Sequence, residues 1–135
     1  MTFKVPYMIL ANSAQELTKG KINILGTFDR LWPNELPGMV DQMAVVALIT
    51  CDSEDDLGDR QVTVRLVRPT GQLGGEFAAR LPFRPQGGSW FASQRLILNL
   101  RNVGIREFGK HVFQILVADQ VLAEHPLTVV EARGE

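Results

Sequence analysis

Cysteine is almost missing from this chain. Cys51 stands alone, so an intramolecular disulfide, a thiolate metal cluster and a CxxC redox centre are all excluded. That usage fits a reducing, cytoplasmic setting. An excess of charge of one sign is missing too: 14 Lys and Arg stand against 15 Asp and Glu, a formal net charge of −1. Such a balance does not suit non-specific attachment to nucleic acid or to an anionic membrane, although it leaves room for a local basic patch. No apolar run approaches the roughly 18 residues of a membrane-spanning helix. Lys4 precedes a short apolar run at residues 5–11, but Pro6 and Tyr7 interrupt it and no clean small-residue cleavage site follows. A signal peptide is therefore not expected. Heptads, low-complexity tracts and internal repeats are absent. So are G-x-S-x-G, H-E-x-x-H, the P-loop and G-x-G-x-x-G. No nucleophile, base and orienting group announce themselves, which points to a non-enzymatic protein without a cofactor.

What is present points to one folded domain, residues 1–135. A chain of 135 residues can bury about two-thirds of its surface without bridges or metals. Hydrophobic residues at 45% and charged residues at 21% are globular rather than disordered proportions. The dominant period is two, the period of a half-buried strand. From Lys21 to Trp32, the residues Ile22, Ile24, Gly26 and Phe28 share a side. Val62, Val64 and Leu66 repeat the pattern, as do Phe77, Ala79, Leu81 and Phe83. Leu96, Leu98 and Leu100 follow, then Phe113, Ile115 and Val117, and a last strand over residues 127–131. Residues 7–11 and 43–49 are apolar on both faces. A strand of that kind is covered twice, so residues 43–49 predict either a homodimer interface or cover from residues 12–19 or a loop. Residues 12–19 read as the one helical turn, with Asn12 or Ser13 as cap and Gly20 as its end.

Turn residues separate these runs at the spacing of an all-β protein: Pro33, Pro37 and Gly38, then residues 52–59, Pro69 to Gly71, and residues 85–89 and 102–109. The economical solution for about eight strands is an antiparallel two-layer β-sandwich, with a closed barrel as the alternative. The stretch Gly109-Lys110-His111-Val112-Phe113-Gln114-Ile115, then Val117-Ala118-Asp119-Gln120, forms a hairpin turning near Asp119-Gln120. Gln120 stands where glycine often follows the acidic residue, which argues against a two-residue primed turn. Together with Lys21 to Asp29 and Met8-Ile9-Leu10-Ala11, this stretch resembles a family of small bacterial proteins of unknown function. The resemblance covers roughly residues 6–130. It implies an immunoglobulin-like or macroglobulin-like sandwich and no catalytic residue.

Several side chains qualify as candidate sites. His111 and His125, both in the last hairpin, would support a small metal-binding protein or enzyme if they met a carboxylate such as Glu124; the alternative is a pair of exposed strand histidines. The acidic loop from Asp52 to Asp59 has Asp52, Glu54 and Asp56 at the one, three, five spacing of a calcium loop. Leu57 and Thr63 occupy the positions where that loop needs Gly and Glu, so a solvated turn is the simpler reading. Arg80, Arg84, Arg95 and Arg101 would form a basic face for nucleic acid if their two strands paired in one sheet. Neutral net charge weighs against that. Gly87 and Gly88 precede Trp90 and Phe91, whose side chains must diverge on a strand. Phe91, wholly apolar, is expected in the core. Trp90 is expected on the surface beside Arg84 and Arg95, as a contact for a protein partner. The overall expectation is a cytoplasmic protein-binding or assembly module, self-associating as a dimer, with neither membrane nor nucleic acid as partner.

Overall fold

The computed structural model describes residues 2–18, 20–85 and 91–131. Strands form wherever the period-two runs lie. In order they are β1 (Phe3–Glu16), β2 (Ile22–Thr27), β3 (Arg30–Leu31), β4 (Gly38–Cys51), β5 (Gly58–Val67), β6 (Leu73–Phe83), β7 (Ala92–Ile105), β8 (Gly109–Val117) and β9 (Gln120–Val129). A single 3-10 turn at Glu54–Asp56 is the only helical element among the described residues. No helix among them is long and apolar enough to cross a membrane. One sheet has the order β2-β1-β4-β7 and the other β3-β9-β8-β5-β6. Ladders are antiparallel except for the short β3–β9 pair, which is parallel.

The inner faces of the two sheets make the core of an all-β sandwich. Met43, Val45, Ala47 and Ile49 of β4 face Val62, Val64 and Leu66 of β5 and Phe113, Ile115 and Val117 of β8, all buried in one cluster. Each large side chain taken out of water there contributes about 1.5–3 kcal/mol. Phe3 and Phe83 close one end edge to face, ring centres 5.1 Å apart.

The second apolar face of β4 is covered from within the chain. Ala14, Ala44 and Val46 are buried together, packed with Tyr7, Ile9, Ile22, Ile24 and Ile97. Pairing of β1 with β4 stops at Ala11↔Ala44. Beyond it, β1 and β2 fold outward over the sheet, where Asn99 Nδ2 of β7 donates to the Ala14 carbonyl at 3.2 Å. Residues 13–16 thus form strand, not a helical turn, because cross-strand pairing from Ser13↔Leu25 to Glu16↔Ile22 outweighs the local capping signal. Ile22 and Ile24 face this outer cluster rather than the central core.

Three other expectations need correcting. The single run from Lys21 to Trp32 is split: β2 belongs to one sheet and β3 to the other. The strand expected around residues 96–100 extends to Ile105. The β8–β9 hairpin closes with Val117↔Gln120 as its last pair, leaving a two-residue loop in which Ala118 (φ 51°) and Asp119 (φ 63°) are both left-handed. That is a type I′ turn, one residue earlier than expected. Its twist matches the strands well enough to tolerate an alanine where glycine or asparagine is preferred.

Candidate functional site

The sequence-predicted residues do not converge. Trp90 lies outside the described residues, as do Gly87 and Gly88. Phe91 is 44% exposed and is not a core residue; Phe83 and Ala92 occupy the buried positions at that end of the sandwich. Arg84 pairs with Asp59 across the β5–β6 ladder, Nη2 to Oδ1 at 3.0 Å. Arg95 lies on the outer face of the other sheet, where its Nε donates to the Tyr7 hydroxyl at 3.4 Å. Arg80 belongs to β6, which pairs with β5, whereas Arg95 and Arg101 belong to β7, which pairs with β4. The four arginines therefore do not form one face.

The acidic loop is organised from inside the chain. The Thr2 amide and hydroxyl both donate to Asp56 Oδ2 at 2.9 Å, and the amide bond chiefly holds that carboxyl below the usual range. Arg60 donates to the carbonyls of Asp55 and Asp56 at 3.1 Å and of Leu57 at 3.4 Å. A guanidinium thus stands among the loop carbonyls that a calcium ion would use. The histidines also separate: His111 pairs with Leu127 and His125 with Phe113. Neither is an exposed strand histidine, since His111 is 1% exposed and His125 is half-buried. Among the described residues, no three His, Cys, Asp or Glu side chains are grouped to hold a metal ion. Cys51 is buried, and burial pushes its thiol pKa up, the opposite of what an activated nucleophile needs.

A different surface stands out. The Thr128 amide donates to the Asp29 carbonyl at 2.9 Å and the Val130 amide to the Leu31 carbonyl at 2.8 Å. These bonds fasten β3 to the edge of β9 and deliver Trp32 to the end of the sandwich. Pro33 and Pro37 cannot donate to a ladder, so the following loop stays outside both sheets. It folds back so tightly that a Cβ on Gly38 would lie 2.8 Å from the Glu35 carbonyl oxygen. Where β4 and β7 leave the centre of their sheet, Asn102 takes φ 54° and the alternation changes phase. Val103 and Ile105 are carried into the core and Met39 outward.

The result is a cleft of about 450 Å³ walled by Leu31, Trp32, Pro33, Val40, Ile105 and Val129. An adjoining groove of about 410 Å³ continues around Met39 to Pro37, Gly104 and Arg106. Trp32 is 60% exposed and Met39 68%. Glu35 and Arg106 are the only ionisable residues among those lining the two hollows. The site suits insertion of an apolar group rather than proton transfer. Sequence reasoning missed it because Pro33, Pro37 and Gly38 read only as chain breaks. The available signal was a tryptophan and a methionine flanking that proline-bounded loop.

Solved structures share the architecture at low identity. An alkylpurine DNA glycosylase, AlkC of Pseudomonas fluorescens bound to DNA containing an abasic site analog, aligns with a TM-score of 0.54 at 12% identity, over 97% of this chain and 31% of the enzyme. Beta-glucosidase 3B from Thermotoga neapolitana, in complex with glucose, aligns at 0.53 and 14% identity, over 98% of this chain and 16% of that one. An immunoglobulin-like protein (PA1606) from Pseudomonas aeruginosa aligns at 0.46 and 12% identity, over 96% of this chain and 98% of its own. This chain therefore spans under a third of either enzyme, and the two alignments speak for fold alone. No curated protein matches the sequence. Residues 6–130 do match one family model over nearly the whole sandwich, and on that match the chain belongs to DUF6941, a family of unknown function.

Proposed function

We propose that the protein is a non-enzymatic binding module that docks a protein partner at the Trp32–Met39 end of the sandwich. One observation carries this reading: a tryptophan 60% exposed and a methionine 68% exposed flank an apolar cleft of about 450 Å³. Leaving such surface in water is unfavourable, and tryptophan and methionine are enriched where partners anchor. A partner side chain of aliphatic or aromatic kind would fill the cleft, with Met39 adapting its rotamer to it. Glu35 and Arg106 at the rim would set orientation rather than supply most of the affinity.

The second apolar face of residues 43–49 packs against Ala14 of β1 and Ile22 and Ile24 of β2, which is the internal cover expected as the alternative to a dimer interface. A site-specific photo-crosslinker in place of Met39, compared with one in place of the exposed Ala78 on β6, tests the reading in the native host. The expected result is a discrete protein adduct from position 39, absent from position 78 and abolished by Trp32→Ala. Adducts only to a second copy of the chain, or adducts indifferent to Trp32, would overturn it.

A further inference from the structure

A second recess opens where the edges of β6 and β7 face each other between the sheets. It measures about 70 Å³ and is lined by Leu66, Arg68, Leu73, Gly74, Gly104, Arg106 and His111. That is room for a few waters or one small ion. Gly74 is needed on its wall: a Cβ there would lie 3.0 Å from Arg68 Cγ and 3.3 Å from the Leu66 carbonyl oxygen. The Arg68 guanidinium is locked by Glu107, at 2.7 Å and 3.0 Å, and by the Gln72 side-chain oxygen at 3.0 Å. Both Glu107 oxygens are taken by Arg68, and Arg106 has no ion-pair partner among the described residues. The lining thus carries one positive charge in excess.

His111 is the decisive residue. Its ring is 1% exposed. Nδ1 lies 3.2 Å from the Gly109 carbonyl oxygen, which can only accept, so Nδ1 carries a proton. Nε2 is buried with no hydrogen-bond partner, a condition that asks for an occupant of the recess. Two arginines and a histidine able to take a second proton are a donor set, and their common ligand is an oxyanion.

We infer that the β6–β7 recess binds a small inorganic oxyanion, held by Arg106, the spare N–H groups of Arg68, and Nε2–H of a protonated His111. Binding then takes up a proton on His111. Arg68, Arg106 and Glu107 are the charged groups facing that ring. Leu66 of β5 and Leu127 of β9 flank its strand without charge, and Lys110 projects from the opposite face of β8. The recess shares Gly104 and Arg106 with the groove beside Met39 but opens to the other side of them, toward His111, and its test needs no partner.

Calorimetric titration with sodium sulfate, at constant ionic strength and at about pH 6 and about pH 8, tests the inference, since binding that takes up a proton is favoured by lower pH. The expected result is saturable one-to-one binding, tighter at the lower pH. Arg106→Gln should weaken it about tenfold, Arg106→Lys less, both with an unchanged melting temperature, because one charge-assisted contact to an exposed side chain is lost. The His111 ring proton resonance of the wild-type protein should move as sulfate is added at fixed pH. No saturable binding, binding indifferent to Arg106→Gln, or an unmoved His111 resonance would each overturn the inference.

Discussion

Replacing Ala118 by glycine should make this protein more stable, which is the reverse of the effect of that change in the middle of a strand. Ala118 has φ 51° and Asp119 φ 63° in the loop joining β8 to β9. An L-residue with a Cβ is disfavoured in the left-handed region by roughly 1–2 kcal/mol. Glycine removes that cost but loses more chain entropy on folding, roughly 0.5–1 kcal/mol relative to alanine. The difference is a net gain of about 0.5–1 kcal/mol. Unfolding entropy near 2.1 cal/mol/K per residue gives a total of roughly 0.28 kcal/mol/K for a chain of this size, so the melting temperature should rise by about 2–4 °C. Thermal melts followed by circular dichroism resolve such a shift. Ala78→Gly is the control, because Ala78 is an exposed mid-strand residue of β6 and its φ is not positive. There the same change should cost about 0.5–1 kcal/mol. Equal destabilisation by both substitutions would refute the type I′ assignment and the hairpin register built on it.

Other outcomes follow from the packing and the charges. Phe113 is fully buried on β8, the middle strand of its sheet, so Phe113→Ala should cost about 3–5 kcal/mol in denaturant titrations. Ile24→Asp places a charge in the outer cluster with Ala44 and Val46; it should destabilise by about 1–3 kcal/mol, whereas Leu25→Asp, at an exposed site one residue on, should change stability by less than about 0.5 kcal/mol. Arg68 holds the Glu107 carboxyl below its ordinary 4.5. A carboxyl depressed in the folded state adds stability above its unfolded value and loses it as pH falls through the folded one. Glu107→Gln should therefore lower stability at neutral pH and flatten the decline seen on acidifying below about pH 5, as read from melting temperatures across that window.

Much of the fold is legible in neighbouring residues, because a half-buried strand writes its faces into alternate positions. Val62, Val64 and Leu66, and likewise Phe113, Ile115 and Val117, declare their inward side without any tertiary information, and the structure buries all six. Which strands pair is another matter. Nothing local distinguishes β6 from β7 as partners, so the arginines on them read as one face although they belong to separate sheets. Residues 12–16 carry a helix-capping signal that pairing with β2 overrides. His111 could have been placed inside, since it shares its parity with Phe113 and Ile115; its polarity masked the pattern. The Trp32 cleft was the least legible feature. Its walls come from β3, the loop after it, β4, β7 and β9, segments that no window of sequence brings together, and prolines that shape a recess look the same as prolines that end a strand.

The most direct test of the account is the affinity of the partner trapped through position 39 for the wild-type protein and for Trp32→Ala, measured by calorimetry beside a thermal melt of each. Truncation of an anchoring tryptophan should remove about 2 kcal/mol, close to a thirtyfold loss of affinity. The melting temperature should stay within about 2 °C, because Trp32 is largely exposed and surface substitutions seldom move stability far. Equal affinity for the two proteins, or a loss of affinity accompanied by a matching loss of stability, would contradict the claim that this end of the sandwich is where the protein binds.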